Sequence, residues 1–596
     1  MPKRSKKRKA SDNGSSPKVA VKGRTISGAP LWFTRDWFWG LILVLAIIVA
    51  YQPVWWAGYI WDDDNHVTTN PCIIGPLGLK EIWTTDAARF FPMTLTTFWM
   101  EHALWGLAPF PYHLVNVFIH GACAVLLWKV LQSLQVPGAW LGAAIWALHP
   151  VEVESVAWIT EMKNTQSGLF FLLSIFFFVK WLKAQGLGQR NGSDWSYPLM
   201  LLFAALAMAS KSSTVILPLV LCLCAWWMQG RWQWRIVERV GPIFLMSVIV
   251  SALTVWAVKM EGIAGPQLNR TWPERLATVG DVVCFYLGKL VWPHPLIMVY
   301  PHWQIDASRG ISYLPLLAVI IVLLVLWFNR ETWSRPYFFA LAYFLVVLLP
   351  VLGLVNHNFL WFSFVADHFQ YLASMGPLAL AGAGMSRLAD FVLPGKPWMQ
   401  GALGAGLLLI LGILSWQRVW VYESEETLWT DTLSKNPNCW VGYNNLGDVH
   451  LQKGQVDEAM ALFRKALGIN PDYAVANNNF GIALAQKGQV DEALVHLQKA
   501  VEIDPNYAEA HNNLGNALAQ KGRMDEAMAQ YLKALDIDPN YAEAYNNIGF
   551  IFYQKGQMDE AIIQFQKALS LNPDNDNAQK NLALAKAKAG HGASDK

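Results

Sequence analysis

Three consecutive carboxylates, Asp62, Asp63 and Asp64, follow the first segment of the chain that is long and apolar enough to cross a bilayer. That segment, residues 37–56, contains no charged residue. Adjacent like charges raise one another's pKa values, so such a cluster persists most easily where a proton, a cation or a polar substrate shares it. One such role is that of a base that accepts a proton from a substrate. The three acids are therefore the first candidates for a catalytic site.

The composition indicates that membrane helices position these acids. Hydrophobic residues make up 54% of the 596 residues and 31 residues are Trp, which is unusual for a soluble protein. Apolar runs recur from residue 37 to about residue 419, whereas the sequence from residue 422 onward is polar with a short apolar periodicity. We therefore predict an all-α fold, with a polytopic membrane domain at 37–421 and a soluble domain at 422–596.

The basic residues indicate how the chain crosses the membrane. Residues 1–24 contain nine Lys and Arg and one acid, and the positive-inside rule places them in a cytoplasmic tail of residues 1–36. The same run is also typical of nucleic-acid patches. The apolar run that follows is too long for a signal-peptide core and favours a membrane anchor. The later basic loops are also cytoplasmic if segment 276–292 does not cross fully, which gives about eleven spans.

This topology places the C-terminal domain outside the cytoplasm. Residues 197–228 as one helix would bury Lys211 in mid-membrane, so a hairpin with Lys211 at its turn is favoured. The unusual polar residues then collect on the outer side, in the loops 149–163, 259–275 and 357–371 as well as at the three acids and Lys211. The function should therefore face outward.

A repeat of 34 residues fills the C-terminal domain. Pro437, Pro471, Pro505, Pro539 and Pro573 have this spacing, and Gly, Ala and large apolar residues keep the same register. This is the pattern of tetratricopeptide repeats, in which small and large residues alternate where two helices cross closely. We predict four full repeats at 437–572, followed by a capping helix.

Each repeat also has an Asn two positions before the Gly that recurs every 34 residues. These residues are Asn445, Asn479, Asn513 and Asn547. A side-chain amide can both donate to and accept from an extended peptide backbone, so a row of Asn along the groove would bind an acceptor peptide. The alternative is that these residues only lie on the helix surface of a near-consensus repeat.

Five segments of the membrane half resemble the transmembrane and tetratricopeptide-repeat O-mannosyltransferase family. They are YIWDDDNHVTTNP at 59–71, FFPMTLTTFWMEHALWG at 90–106, PYHLVNVFIH at 111–120, ALHPVEVESVAWITEMKN at 147–164 and ADHFQYLASMG at 366–376. The resemblance covers nearly all of the chain after about residue 35 and lies in the order of the motifs, because each motif alone is weak. The family belongs to the GT-C glycosyltransferases.

The resemblance implies transfer of a sugar, with mannose as one candidate, from a polyprenyl-phosphate carrier to a hydroxyl of a protein acceptor on the outer face. Asp62 and Asp63 fall on the family's paired acids, and one of them is expected to be the base, since an attacking alcohol must lose a proton. Glu154 falls on a Glu of the second outer loop, where it would position the acceptor or the donor. The role of Asp64 is less defined.

Four further residues are expected near the donor phosphate. Lys211 could neutralise it and His368 could donate to it, while His149 and Asp367 fall on polar positions of the family's outer loops. His149 could instead simply end a helix beside its neighbouring proline. Relatives often have Arg where this chain has Met162, which puts a phosphate contact there in doubt.

A divalent metal is left open by the sequence. His113, Asn116 and His120 share a helix face and could be metal ligands, but interhelical hydrogen bonds are favoured. Two alternatives to a protein glycosyltransferase also remain: a ligase or polymerase of lipid-linked glycans, and a membrane-anchored repeat scaffold without enzymatic activity. The Asn row favours a protein acceptor, and the acids near the outer face argue against a scaffold.

Overall fold

A computed structural model describes residues 35–75, 77–85, 91–186, 195–260 and 270–594. The predicted basic tail therefore lies outside the described residues, except for its last two positions. The chain divides into two compact units, residues 1–42 and 43–596. The described part of the first unit is residues 35–42, which contain the beginning of a helix. The second unit contains the repeats and the loops predicted to face outward, for which the name outer loops is kept.

The described residues form helices and loops, without a strand among them. The helices before the repeats are α1 (Asp36–Ala50), α2 (Leu79–Thr84), α3 (Pro92–Trp105), α4 (Pro109–Ser133), α5 (Ala139–Ala147), α6 (Val153–Ala157), α7 (Met162–Gly186), α8 (Ser196–Ser210), α9 (Leu217–Gln229), α10 (Trp234–Met260), α11 (Trp272–Val291), α12 (Leu314–Phe328), α13 (Arg335–Leu348), α14 (Met375–Val392) and α15 (Pro397–Val419).

Among the described residues, six helical segments are long and apolar enough to cross a membrane. They are Pro109–Ser133, Ile159–Gln185, Ser212–Gln229, Trp234–Ala257, Gly310–Phe328 and Pro397–Tyr422. Three shorter apolar helices are Asp36–Ala50, Ser196–Ser210 and Arg335–Val351. Several apolar helices of this length are typical of a membrane protein. The expected count of eleven spans is not confirmed, and the sidedness stays a prediction.

The backbone breaks at Lys211, as predicted. Helix α8 ends at Ser210, Lys211 is extended with φ −156° and ψ 122°, and a 3-10 turn, Ser212–Ile216, leads into α9. A single continuous helix through residues 197–228 is therefore excluded. The break places the Lys211 side chain at the end of a helix, beside the outer loops, rather than in the middle of an apolar span.

The repeats form pairs of helices in the predicted register. They are α17 (Trp440–Gln452) with α18 (Val456–Ile469), α19 (Ala474–Gln486) with α20 (Val490–Ile503), α21 (Ala508–Gln520) with α22 (Met524–Ile537) and α23 (Ala542–Gln554) with α24 (Met558–Leu571), followed by α25 (Asp576–Ser594). One further helix, α16 (Glu425–Lys435), precedes them. The pattern of small and large residues is explained by close crossing: a Cβ on Gly447 would lie 2.7 Å from the Phe463 ring.

The repeats are joined to the outer loops by direct hydrogen bonds. The Trp61 amide donates to Glu425 Oε1 at 2.7 Å, and the Gly58 amide donates to the Glu423 carbonyl at 3.0 Å. Asn436 Nδ2 donates to a backbone carbonyl of the loop after α11 at 3.0 Å. The segment directly before the repeats, which includes α16, is therefore fixed to the loop that contains the three acids and to the loop after α11.

Candidate functional site

The three consecutive acids differ in exposure because the chain turns sharply at this point. Asp62 is half-buried, Asp63 is fully buried, and Asp64 is exposed where it begins a short π-helical turn, Asp64–Thr68. Trp61, directly before them, has a φ of +45°, which is unusual for a residue with a side chain. The turn thus points neighbouring carboxylates into different surroundings.

Asp63 is a fixed hydrogen-bond acceptor. Its Oδ2 accepts from the Ile60 amide at 2.9 Å, and its Oδ1 accepts from the amide and hydroxyl of Thr160 at 2.7 and 2.5 Å. Burial raises the pKa of Asp63 to about 7, while these three donors act in the opposite direction. Because its carboxylate accepts from Thr160 of the second outer loop, Asp63 connects the first outer loop to the second.

Asp62 is available for chemistry. Among the described residues its carboxylate accepts no hydrogen bond, although its backbone carbonyl accepts one from His66. It lies within electrostatic reach of Lys163 from the second outer loop and of Tyr473 from the repeats. A carboxylate without a hydrogen-bond donor of its own can accept a proton from a hydroxyl.

Two lysines, Lys163 and Lys211, share the carboxylate of Glu161. Glu161 pairs with Lys163 Nζ at 2.8 Å and with Lys211 Nζ at 3.6 Å. Lys163 also lies near the rings of Phe91 and Trp158, at 5.5 and 5.8 Å from their centroids. Asp62 and Asp63 also interact electrostatically with Lys163, so the cluster contains carboxylates as well as two cations, and the lysines are its groups suited to an anionic ligand.

Asn164 connects the lysine cluster to the late outer loop. Its amide nitrogen donates to Glu161 Oε2 at 2.5 Å and to the His368 carbonyl at 3.0 Å, and its oxygen accepts from Lys211. Burial lowers the pKa of Lys211 to about 8, against the opposing charge of Glu161. Lys211 therefore loses its charge at a lower pH than an ordinary lysine.

Glu154 and His368 form a buried pair. Glu154 Oε1 and His368 Nδ1 are 2.5 Å apart, and the Tyr422 hydroxyl lies 3.5 Å from Glu154 Oε2. Burial raises the pKa of Glu154 and lowers the pKa of His368 to about 3, so the shared proton belongs to the carboxyl. The imidazole is then neutral, with its own proton on Nε2.

Asp367 has a different environment from its neighbour His368. The Tyr300 hydroxyl lies 3.1 Å from both of its carboxylate oxygens. Burial raises its pKa to about 6, while the charge of Arg418 and the bond from Tyr300 lower it. Asp367 is therefore held beside cations of the repeat junction. A phosphate contact by this carboxylate would be repulsive.

Arg418, which the sequence reasoning missed, is buried at the end of α15. It donates to Asp431 Oδ2 at 2.8 Å and to the Tyr422 hydroxyl at 3.3 Å. It thereby connects the last membrane helix, the first helix of the repeat domain and the Glu154 pair. The signal in the sequence that could have identified Arg418 was a basic residue after a long apolar run. This pattern is equally typical of an ordinary helix end.

His149 does not join this cluster. Its Nε2 lies 3.1 Å from the Leu290 carbonyl at the end of α11, and its Nδ1 accepts from the Val151 amide at 3.4 Å. Both ring nitrogens are thus used by the backbone. Burial lowers its pKa to about 4, which keeps the ring neutral. This geometry is that of a residue that ends one helix and positions another.

The expected groove residues form a ladder within the repeats. Asn479 donates to Asn444 Oδ1 at 3.3 Å, and the equivalent bonds of Asn513 and Asn547 to the preceding repeat measure 3.0 and 2.9 Å. Asn445 begins the ladder, and its amide nitrogen is buried without an acceptor among the described residues. Each Asn amide can form further bonds. The ladder thus connects successive repeats whether or not it binds a peptide.

Two of the three residues considered as metal ligands, Asn116 and His120, are hydrogen-bonded across helices. Asn116 donates to the Val156 carbonyl at 2.9 Å, and His120 lies 2.9 Å from the Tyr371 hydroxyl and 3.0 Å from the Ala147 carbonyl. In the described part of the chain, no group of three or more His, Cys, Asp or Glu has the arrangement of a metal site.

The repeats and the apolar half of the chain are both similar to known proteins. Family models described as TPR repeat match residues 447–488, 481–522 and 515–556, and a model described as Tetratricopeptide repeat matches residues 542–575. These matches confirm the predicted repeats. The TPR protein YrrB is 26% identical over 33% of this chain and 96% of its own, with a TM-score of 0.23.

The curated relatives extend the similarity into the membrane half. Protein O-mannosyl-transferase TMTC3 of Mus musculus is 22% identical over 71% of this chain and 50% of its own length. Protein O-mannosyl-transferase TMTC4 of Homo sapiens is 24% identical over 69% of this chain and 64% of its own length. The chain therefore spans about half to two thirds of the length of these relatives.

Proposed function

We propose that this chain, a relative of the transmembrane and tetratricopeptide-repeat O-mannosyltransferases, transfers a sugar from a polyprenyl-phosphate donor to a hydroxyl of a protein acceptor. The reaction is that of a GT-C glycosyltransferase on the extracytoplasmic face of a bacterial inner membrane. The observation that carries the proposal is the carboxylate of Asp62, which accepts no hydrogen bond among the described residues and interacts electrostatically with Lys163, one of the two lysines that pair with Glu161.

Asp62 is the base in this reaction. The acceptor hydroxyl loses its proton as its oxygen attacks the anomeric carbon, and a carboxylate within hydrogen-bond reach accepts that proton. Asp62 is preferred over Asp63 because the oxygens of Asp63 already accept from Ile60 and Thr160. Asp63 then positions the loop from which Asp62 projects.

Lys163 and Lys211 bind the phosphate of the donor. As the sugar leaves, charge accumulates on the phosphate oxygens, and cations held in place by Glu161 stabilise this charge without rearranging. His368 assists because its Nε2 carries a proton when Glu154 donates to Nδ1. Glu154 thus acts through His368. Asp367 and His149 serve the architecture of the site.

An apolar cavity beside this phosphate site suits the lipid of the donor. Its volume is about 340 Å³, and its walls are Pro92, Ala205, Met208, Ala209, Met246, Ile249, Val250, Leu253 and Thr254. Pro92 adjoins Phe91, near which Lys163 lies, and Ala209 lies two residues before Lys211. A branched isoprenoid chain in this cavity would place its phosphate at the two lysines.

The test uses the full chain in lipid nanodiscs, a polyprenyl-phosphate donor with a labelled sugar, and Thr-containing peptides. We expect labelled peptide from the wild type. Lys211→Gln should weaken donor binding about tenfold, because a charge-assisted bond to the phosphate is lost. Lys80→Gln, an exposed lysine of the first outer loop, is the matched control. Donor binding without transfer to any peptide would refute the proposed reaction.

A further inference from the structure

We infer that the inner face of the repeats holds an extended, neutral or basic segment of the acceptor protein and presents a hydroxyl at a fixed distance from it to Asp62. This inference rests on the proposed function and names the acceptor class and the way in which the site selects a position. It combines three features: a fixed junction, a row of tyrosines that ends near Asp62, and the charge of the inner helices.

The junction between the outer loops and the repeats is packed with aromatic rings. Trp61 lies parallel to Trp158 at a centroid distance of 5.4 Å and meets Trp429 of α16 edge-on at 5.2 Å. Trp361 of the late outer loop lies 4.9 Å from Trp440 and 5.5 Å from Tyr473, which are residues of the repeats. The repeats are therefore held at one position relative to Asp62.

A row of tyrosines leads from this junction along the repeats. Tyr473, Tyr507 and Tyr541 occupy the same register and directly precede α19, α21 and α23, which pack against one another in succession. Tyr507 interacts electrostatically with both other tyrosines, and Tyr473 does so with Asp62. Tyr473 is buried against Trp361 and Trp440, whereas Tyr507 and Tyr541 are half-buried. The accessible part of the row therefore begins next to the junction that also holds Trp61, the residue before Asp62.

The first helices of the repeat pairs, α17, α19, α21 and α23, are called the inner helices, and the second helices are called the outer helices. Within their bounds the inner helices contain Asp448, Glu509 and Glu543, and no Lys or Arg. The lysine that directly follows each inner helix pairs with an acid of another helix. The Tyr507 and Tyr541 hydroxyls lie 3.3 Å from Glu509 and Glu543 respectively, so these carboxylates line the tyrosine row. An acidic segment would be repelled from this surface, whereas a basic one would be attracted.

Acids from both domains also meet at the junction end of the row. The pKa of Glu425 is raised to about 7 by burial and further by the charges of Asp64 and Asp448. A basic side chain next to the modified hydroxyl would relieve this repulsion. Charge complementarity therefore extends from the repeats to the loop of Asp62.

The geometry fixes the length of the segment. Successive inner helices are about 10 Å apart, so Tyr473 and Tyr541 are separated by roughly 20 Å. An extended chain covers this distance in about six residues, at about 3.3 Å per residue. A residue bound at Tyr541 should therefore lie somewhat more than six positions from the hydroxyl that reaches Asp62.

Binding is tested first, because it does not depend on transfer. Fluorescent peptides of about twelve residues, long enough to span the row at about 3.3 Å per residue, carry Lys, Gln or Glu at alternate positions and are titrated against the full chain in nanodiscs. We expect affinity in the order Lys, Gln, Glu. The double variant Glu509→Gln and Glu543→Gln should weaken Lys-peptide binding about fivefold, as expected for two exposed charge pairs.

The matched control replaces acids on the outer helices, Glu492→Gln with Glu560→Gln, and should leave the affinity unchanged. Equal binding of the Glu and Lys peptides would overturn the inference. Displacement of the Lys peptide by a neutral oligosaccharide would assign the face to a glycan and would also overturn it.

Transfer is tested next with Lys peptides that have a single Thr moved along the chain. We expect one preferred position, with kcat/KM falling about tenfold or more on either side, because a displaced hydroxyl misses the base. Tyr507→Ala should flatten this preference mainly through KM, whereas the Glu492→Gln control keeps it. Equal transfer at every position would refute the fixed distance. Absence of transfer at all positions, with the binding order retained, would refute the proposed reaction and leave the binding face standing.

Discussion

In the repeat domain, Asn479, Asn513 and Asn547 each donate to an Asn that lies 35 positions earlier in the sequence. In the outer loops, Asp63 and Thr160 are 97 positions apart, and Glu154 and His368 are 214 positions apart. The repeats are therefore a series of similar local contacts, whereas the site is one network closed by distant segments. A change in a repeat should have local effects, and a change in the network should affect every member.

The largest effect that tests this difference is expected for Glu161→Gln. The substitution leaves Lys163 and Lys211 without their common partner, and removal of one member of a buried ion pair costs about 3–5 kcal/mol. We expect a lower unfolding midpoint in detergent together with loss of donor binding. Glu161→Asp, which keeps the charge, should recover part of both. Full donor binding by Glu161→Gln would show that the lysines do not depend on this acid.

Gly481→Ala tests the repeats. The added Cβ would lie 2.6 Å from Leu497 Cγ, so this pair of helices must separate, at a cost of about 1–3 kcal/mol. Hydrogen exchange should increase in the changed repeat and its neighbours and stay unchanged in the outer loops. Gly468→Ala, where nothing lies within 4 Å, is the control and should be neutral or stabilising. Increased exchange throughout the outer loops would contradict the local character of the repeats.

The pH dependence of donor binding sharpens the role of the network. Burial lowers the pKa of Lys211 to about 8, so this residue is charged below pH 8 and neutral above it. Donor affinity should therefore fall as the pH rises through about 8, by up to tenfold per pH unit. Lys211→Arg, which stays charged, should remove this fall. A flat profile in the wild type would exclude Lys211 from phosphate binding.

The smallest effect is expected for Asn479→Ala. It removes the bond to Asn444 and the bond that Asn479 Oδ1 accepts from Asn478, each worth about 1 kcal/mol. Chemical denaturation of the full chain, followed by probes in the repeats, should show a loss of this size. The same change should have no effect on donor binding. A change in donor affinity would indicate that the ladder and the site are coupled more tightly than the contacts suggest.

The repeats could be predicted from the sequence because Pro437, Gly447 and Ala459 each recur at a spacing of 34 residues. The helix break at Lys211 followed from the cost of burying a charge. The difference in exposure and hydrogen bonding between Asp62 and Asp63 could not be predicted. Both residues have the same side chain, and the partner of Asp63, Thr160, is far away in sequence. Arg418 was missed for a different reason: its partners Asp431 and Tyr422 are near in sequence, but a basic residue after a long apolar run is also typical of an ordinary helix end.

The central claim is that Asp62 performs chemistry whereas Asp63 holds the loop, and paired measurements of transfer rate and thermal stability on Asp62→Asn and Asp63→Asn test it most directly. Asp62→Asn should reduce kcat by about 10²- to 10⁴-fold, the usual contribution of a general base, with donor affinity and unfolding midpoint unchanged. Asp63→Asn should lower the unfolding midpoint in addition to kcat, because an amide cannot accept all three bonds from Ile60 and Thr160 equally well. Asp64→Asn, an exposed neighbour, is the control. Wild-type kcat in Asp62→Asn would contradict the assignment of the base.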